Sequence, residues 1–193
     1  MFGFFKKKIK AKREDFNLIV KDLHKNISQV HTSFGNEIIE IVNKIPPEDK
    51  FGSQTFFAIP LYESIFGYQI TCLIGFTSRE GLISIMDNLE LKELLLTEIS
   101  NETGLGKNSI KDYADLFLSC SGNIECLNNE FFNLVCKICS IDKNSPSAPR
   151  IKKKLENKST VLAIETQKNT ALAFGSNDLV NQLDKVLNEN SNK

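Results

Sequence analysis

The sequence predicts a single α+β domain in which long helices cover an antiparallel sheet. Three observations support this fold class. Apolar residues recur at intervals of three and four between Glu14 and Ile45, as on one face of a long amphipathic helix. The segment from Thr55 to Thr77 is rich in aromatic and β-branched residues, which favour strands. A third apolar series, from Ser109 to Ser140, again has helical spacing.

Composition limits the classes of protein that the chain can form. Its 193 residues, 41% of them hydrophobic, suffice for one domain with a substantial core. Lys plus Arg and Asp plus Glu both number 24, so the net charge is zero and the chain as a whole does not attract nucleic acid. No apolar run approaches the roughly 20 residues that span a bilayer. The opening MFGFFKKKIKAKR has its apolar part before its basic part, the reverse of a secretory signal, and we expect a cytoplasmic protein.

The expected domain organisation is a flexible basic tail over residues 1–13, a single domain over 14–188 and a disordered tail over 189–193. Phe2, Phe4 and Phe5 precede the basic run KKKIKAKR, and this combination predicts at most a peripheral contact with an anionic membrane. A second basic run, RIKKK at 150–154, is expected to be a solvated loop. No aromatic and basic motif of a nucleic-acid-binding module is present, so no nucleic-acid partner is expected.

The order of elements is predicted as helix, hairpin, helix. Gly35 could divide the first helix in two, and Pro46 and Pro47 end it because neither offers an amide hydrogen. TFFAIPLY and FGYQITCLIGF then form the two strands of a hairpin, with Pro60 near a sheet edge. Thr77 and Glu80 have the spacing of a capping box, which predicts that a helix follows directly. A short helix is expected from Asp178 to Leu187.

Three polar residues stand beside the apolar stripe of the predicted Ser109–Ser140 helix. At about 100° per residue, Ser121, Glu125 and Asn128 fall within an arc of roughly 60° and should reach solvent side by side. Gly122 is a weak point of this helix. The alternative interpretation is that the three residues are ordinary polar positions on a solvated face.

The spacing of Ser121, Glu125 and Asn128 resembles the active-site pattern of the CheC and CheX response-regulator phosphatases. Pro149 follows Asn128 after twenty residues, close to the position of a proline in that family. The element order is also similar over residues from about 14 to 175, including a late hairpin formed by TVLAIET and TALAFG. The sequence departs from the family where Asn129 and Glu130 replace an apolar residue and a following Gly-Asn pair.

The resemblance implies a phosphatase, active or degenerate, that acts on the aspartyl phosphate of a CheY-like response regulator in two-component or chemotaxis signalling. Asn128 would orient the attacking water, because in-line placement is the main requirement of phosphoryl transfer. Glu125 would pair with a lysine of the regulator, and Ser121 would support the docking surface. The Mg²⁺ would belong to the regulator, so no cofactor of its own is expected. The alternative is a noncatalytic protein–protein interaction module of the same fold, and a homodimer through the first helix is a further alternative.

Five cysteines without regular spacing predict reduced thiols that pack as small apolar residues, with no disulfide needed for folding. Cys136 and Cys139 have a two-residue gap that is compatible with a zinc pair or a redox dithiol. Cys120 and Cys126, with their five-residue gap, do not make a second pair of that kind. His24 and His31 share a helical face without a nearby acidic or cysteine cluster and are expected at the surface, so no metal site is predicted.

Overall fold

The computed structural model describes the backbone of residues 2–52, 57–83, 88–120 and 122–191, and side chains between residues 17 and 189 within those ranges. These residues form a short 3₁₀ helix at Pro47–Asp49 and the following α-helices: α1 (Phe2–Asn43), α2 (Ala58–Arg79), α3 (Asn88–Thr103), α4 (Lys107–Leu118), α5 (Ile124–Ile138), α6 (Ala148–Ala173) and α7 (Asn177–Ser191). The β-structure found in the described ranges is an isolated antiparallel bridge between Lys50 and Ile141.

The predicted α+β fold with an antiparallel sheet is therefore wrong, because the described residues are almost entirely helical. The segment predicted as a hairpin is largely a single helix, α2, and its residues 55 and 56 lie outside the described ranges. Pro60 is the third residue of α2, within the first turn, where its missing N–H costs no helical hydrogen bond.

Helix α2 lies at the centre of the bundle and packs against α1, α3, α4, α5 and α6. Every residue from Glu63 to Ile74 is buried, so the helix is covered on all sides over three turns. A helix buried all round carries apolar residues on every side and so loses the 3.6-residue period. Its composition then matches that of a buried strand, which is why the sequence pattern predicted a hairpin.

The structure corrects two further predictions, and both concern threonines in α2 and α6. Thr77 does not begin a helix: its hydroxyl donates to the carbonyls of Leu73 (2.9 Å) and Ile74 (3.0 Å) within the last turns of α2. The predicted late hairpin lies mainly in α6, where Thr166 and Thr170 each donate to the carbonyl four residues earlier, at 2.7 Å. These hydrogen bonds satisfy buried hydroxyls inside a helix, so β-branched residues here do not indicate strands.

Helix α1 runs through Gly35 without a break and ends before Pro46 and Pro47. A Cβ at Gly35 would clash with the ring of Tyr62, so glycine at this position permits a close contact with α2. The described part of α1 faces the bundle with a stripe of buried apolar residues: Val20, Leu23, Ile27, Phe34, Ile38 and Val42.

The predicted helix from Ser109 to Ser140 is two helices, α4 and α5. Gly122 has a φ of +83°, a left-handed conformation that glycine adopts without strain. Asn123 then caps α5, because its side-chain oxygen accepts from the backbone N–H of Cys126 at 3.0 Å. The cap and the glycine together end one helix and begin the next, and the apolar period continues across the break.

Helix α7 packs along α6, and Lys168 of α6 pairs with Asp184 of α7 at 2.6 Å. It includes the short helix predicted from Asp178 to Leu187. The RIKKK run lies within the first two turns of α6 and is not a loop. In the part of the chain that the structure describes, no helix is both long enough and apolar enough to cross a membrane.

Candidate functional site

Of the three residues predicted as a site, the structure describes Glu125 and Asn128, and these two differ in exposure. Ser121 lies outside the described residues. Glu125 is in the first turn of α5, and its side chain is exposed. Asn128 is one turn further along and is only 8% exposed. Pro149, the fourth element of the pattern, is in the first turn of α6.

Asn128 lies in a buried hydrogen-bond network that joins α2, α5 and α6. Its Oδ1 accepts from the hydroxyls of Tyr68 (2.9 Å) and Ser159 (2.8 Å), and its Nδ2 donates to the hydroxyl of Thr160 at 2.9 Å. The Tyr68 hydroxyl is also 3.0 Å from the carbonyl oxygen of Ser159, and burial raises its pKa well above the usual value. Both polar atoms of the Asn128 amide are therefore engaged inside the protein.

A groove of about 610 Å³ lies next to this network, between the second half of α2, the turn before α5, and α6. Its lining is largely apolar and includes Ile74, Phe76 and Leu127. Arg79, Asn123 and Gln167 add polar groups. Ile124, at the start of α5, also lines the groove and is 48% exposed.

Gly75 marks the α2 side of the groove. A Cβ built there meets no heavy atom within 4 Å, so the glycine borders open space. By contrast, a Cβ at Gly67, two turns earlier on α2, would lie 2.6 Å from the Tyr113 Cβ of α4. Gly67 thus permits close packing of α2 on α4, while Gly75 leaves the groove open.

The cysteines depart in part from the prediction of reduced thiols. Cys120 and Cys126 form a disulfide across the turn between α4 and α5. In a continuous helix, two cysteines six positions apart lie on different faces and do not meet. Gly122 turns the chain back and brings their Cα atoms to 5.5 Å.

The remaining cysteines are buried thiols. Burial raises the pKa of Cys136 to about 11 and that of Cys139 to about 12. Cys72, whose pKa is raised to about 12 for the same reason, lines the groove. Because the thiolate is the form that attacks disulfides, these values disfavour a redox role at neutral pH. Among the described residues, no group of three or more His, Cys, Asp or Glu side chains is arranged to hold a metal ion.

His31 is buried, contrary to the expectation of a surface histidine. Its ring stacks on Phe66 with centroids 3.5 Å apart, and its Nδ1 donates to Gln69 Oε1 at 3.1 Å, since an amide oxygen can only accept. The Nε2 atom has no hydrogen-bond partner, and burial lowers the pKa of His31 to about 4. The residue is therefore neutral at physiological pH. His24 is partly exposed and lies 3.1 Å from the Ser28 hydroxyl.

The fold and the groove define an all-helical bundle with a concave apolar surface. No family model matches the chain, and comparisons with curated proteins and with solved structures found no significant match. The resemblance to CheC and CheX proteins stays a prediction that depends on the spacing of Ser121, Glu125 and Asn128, whereas the α+β fold expected with it is wrong.

Proposed function

We propose that this chain is a noncatalytic protein-interaction module that binds an amphipathic helix of a partner protein in the groove beside α5. The observation that carries the proposal is the engagement of Asn128 in the core. A residue that orients an attacking water must offer a polar atom to that water. Asn128 instead uses its amide to hold Tyr68, Ser159 and Thr160 together, so its position next to Glu125 is accounted for by packing.

The dimensions and lining of the groove support a helical partner. It follows α2 from Thr71 to Arg79, which corresponds to about 12 Å along the helix axis. Anchor side chains at positions i, i+4 and i+7 of a docked helix span about 10 Å, so such a helix would place its apolar face along this length. Ile124 would contact the docked helix, and Arg79 would face the polar flank of that helix.

The proposal is tested by selecting helical peptides from a displayed library on the wild-type protein. Gly75→Leu places a side chain in the groove from a position where a Cβ meets no heavy atom within 4 Å, so we expect the variant to keep the fold. Gly75→Ala is the matched control, since it adds only one methyl group. We expect selected peptides with apolar residues at helical spacing that bind the wild type and the alanine variant, and that bind the leucine variant at least tenfold more weakly.

Two results would overturn this proposal. The first is a failure to enrich any peptide, or peptides that bind Gly75→Leu as well as they bind the wild type. The second is self-association of the wild type that Gly75→Leu abolishes in sedimentation, because the groove would then belong to a second copy of this chain. Circular dichroism of each variant checks that the fold is kept.

A phosphatase acting on a phosphorylated response regulator is the second candidate function, and the exposure of Glu125 on the first turn of α5 favours it. Such a carboxylate is accessible to a lysine of the regulator, which would also supply the Mg²⁺. We propose a cytoplasmic location for either function, on the sequence pattern alone.

The decay rate of a phosphorylated response regulator separates the two functions. The interaction module leaves the rate unchanged. An acceleration that Glu125→Ala removes would assign the phosphatase and overturn the noncatalytic proposal. Glu125 is the residue of choice because its side chain is exposed, whereas a change at Asn128 would disturb the core as well as the site.

A further inference from the structure

The disulfide between Cys120 and Cys126 lies at the edge of the groove. Cys120 lines the groove itself, together with Asn123, Ile124 and Leu127 at the start of α5. Cys126 is in the first turn of the same helix and is half-buried. The covalent bond therefore fixes the part of α5 that supplies side chains to the groove.

The turn between α4 and α5 also has hydrogen bonds that do not depend on the disulfide. The backbone N–H of Asn123 donates to the carbonyl of Cys120 at 3.0 Å, and the Asn123 side chain accepts from the N–H of Cys126 at 3.0 Å. Phe117 of α4 and Phe131 of α5 are fully buried on either side of the turn, with ring centroids 6.3 Å apart. Reduction of the disulfide should therefore loosen the turn without unfolding the bundle.

Cys120 and Cys126 are also the cysteines most suited to thiol–disulfide exchange. Burial raises the pKa of Cys136 to about 11 and those of Cys72 and Cys139 to about 12, so these three thiols stay protonated at neutral pH. The cytoplasmic location proposed above places the disulfide in a reducing compartment. Disulfides are rare in such a compartment, and those present are usually transient, with catalytic or redox-sensing roles.

We propose that Cys120 and Cys126 form a reversible redox switch that sets the affinity of the groove for its partner helix, an inference that rests on the proposed function of that groove. The disulfide form binds the partner more tightly, because Asn123 and Ile124 are held in place before binding and the entropic cost of ordering them is avoided. Gly122 has a φ of +83°, and a Cβ built on it meets no heavy atom within 4 Å, so the turn has room to move once the disulfide is reduced.

The reductant is a dithiol, and the exchange proceeds in two steps. One thiolate of the dithiol attacks the sulfur of Cys126, which is the more exposed of the two residues. The S–S bond breaks, and its electron pair goes to the sulfur of Cys120, which takes up a proton. The second thiolate of the dithiol then attacks the mixed disulfide and releases Cys126, which is protonated in turn. Two electrons and two protons pass to the protein, and the dithiol becomes a disulfide.

The test measures the affinity of a peptide selected on the wild type, for the oxidised protein and for the protein reduced by dithiothreitol. We expect binding to weaken about tenfold on reduction, since two side chains of the groove must then be ordered by the peptide. Reoxidation by glutathione disulfide should restore it. The variant with Cys120→Ser and Cys126→Ser is the matched control: it should bind as weakly as the reduced wild type, and dithiothreitol should not change its affinity.

Hydrogen exchange gives a second measurement that needs no peptide. The amide of Cys126 donates to Asn123 Oδ1 and that of Leu127 to the Asn123 carbonyl, at 3.0 Å each, so both report on the start of α5. They should exchange faster in the reduced protein, while amides of α2 keep their rates. If no peptide is selected, the proposed function fails, and these rates decide by themselves whether the disulfide orders this segment.

Four results would overturn the redox switch. Equal peptide affinity of the oxidised and reduced wild type is the first, and equal exchange rates at Cys126 and Leu127 in the two forms are the second. An effect of dithiothreitol that persists in the double serine variant is the third, because it would arise elsewhere in the chain. The fourth is loss of the helical circular dichroism signal on reduction, since the disulfide would then be needed for the fold.

Discussion

Two glycines of α2 should respond differently to the same substitution. Gly67 and Gly75 both lie inside the helix, and alanine at either position removes the same backbone freedom from the unfolded chain. At Gly67 the new Cβ would lie 2.6 Å from the Tyr113 Cβ and 2.8 Å from the Ala114 backbone nitrogen. At Gly75 the new Cβ meets nothing within 4 Å.

The difference between the two variants isolates the cost of overpacking. Alanine in a helix interior is favoured over glycine by about 1 kcal/mol, and this gain is common to both sites. Non-bonded carbon atoms prefer separations of about 3.5–4.0 Å, so α4 must move away from α2 by roughly 1 Å to accept Gly67→Ala. Overpacking of this kind costs typically about 1–3 kcal/mol, and the moved atoms here belong to backbone and Cβ, which cannot rotate aside.

The assay is urea unfolding of the wild type and both variants, followed by circular dichroism. Gly75→Ala should raise the free energy of unfolding by about 1 kcal/mol. Gly67→Ala should be less stable than Gly75→Ala by about 1–3 kcal/mol. Equal stabilities for the two variants would refute the close contact between α2 and α4 at Gly67.

Two further predictions concern buried polar side chains. The pKa of His31 is about 4 in the folded protein against an ordinary 6.5, so protons favour the unfolded state between these values. His31 should lower stability by about 2 kcal/mol as the pH falls from 7 to 5. His31→Gln should remove this part of the pH dependence in urea unfolding, and His24→Gln should retain it. Asn128→Ala leaves the buried Tyr68 and Ser159 hydroxyls without their shared acceptor and should cost about 2–4 kcal/mol in unfolding free energy. Glu125→Ala should change it by no more than about 0.5 kcal/mol, and equal losses for these two variants would contradict the network.

The predicted site illustrates why helical spacing alone does not decide which polar residues of a helix are exposed. The angles between Ser121, Glu125 and Asn128 were worked out for one continuous helix, whereas the helix breaks at Gly122. The arc that contains these three residues also lay only a quarter turn around the predicted helix from its buried stripe. Which of its residues became buried then depended on how closely α6 packs on α5, and Ser159 and Thr160 of α6 lie against Asn128.

The sequence by itself determined those features that depend on nearby residues. Proline has no amide hydrogen wherever it stands, so Pro46 and Pro47 end α1, and the 3.6-residue period reveals the buried face of α1. Only the tertiary structure decided that α2 is a helix, because a segment covered on all sides has no polar face from which to read a period. The burial of His31 and Asn128 was decided in the same way, since each found its partner on another helix, Gln69 of α2 for the first and Ser159 of α6 for the second.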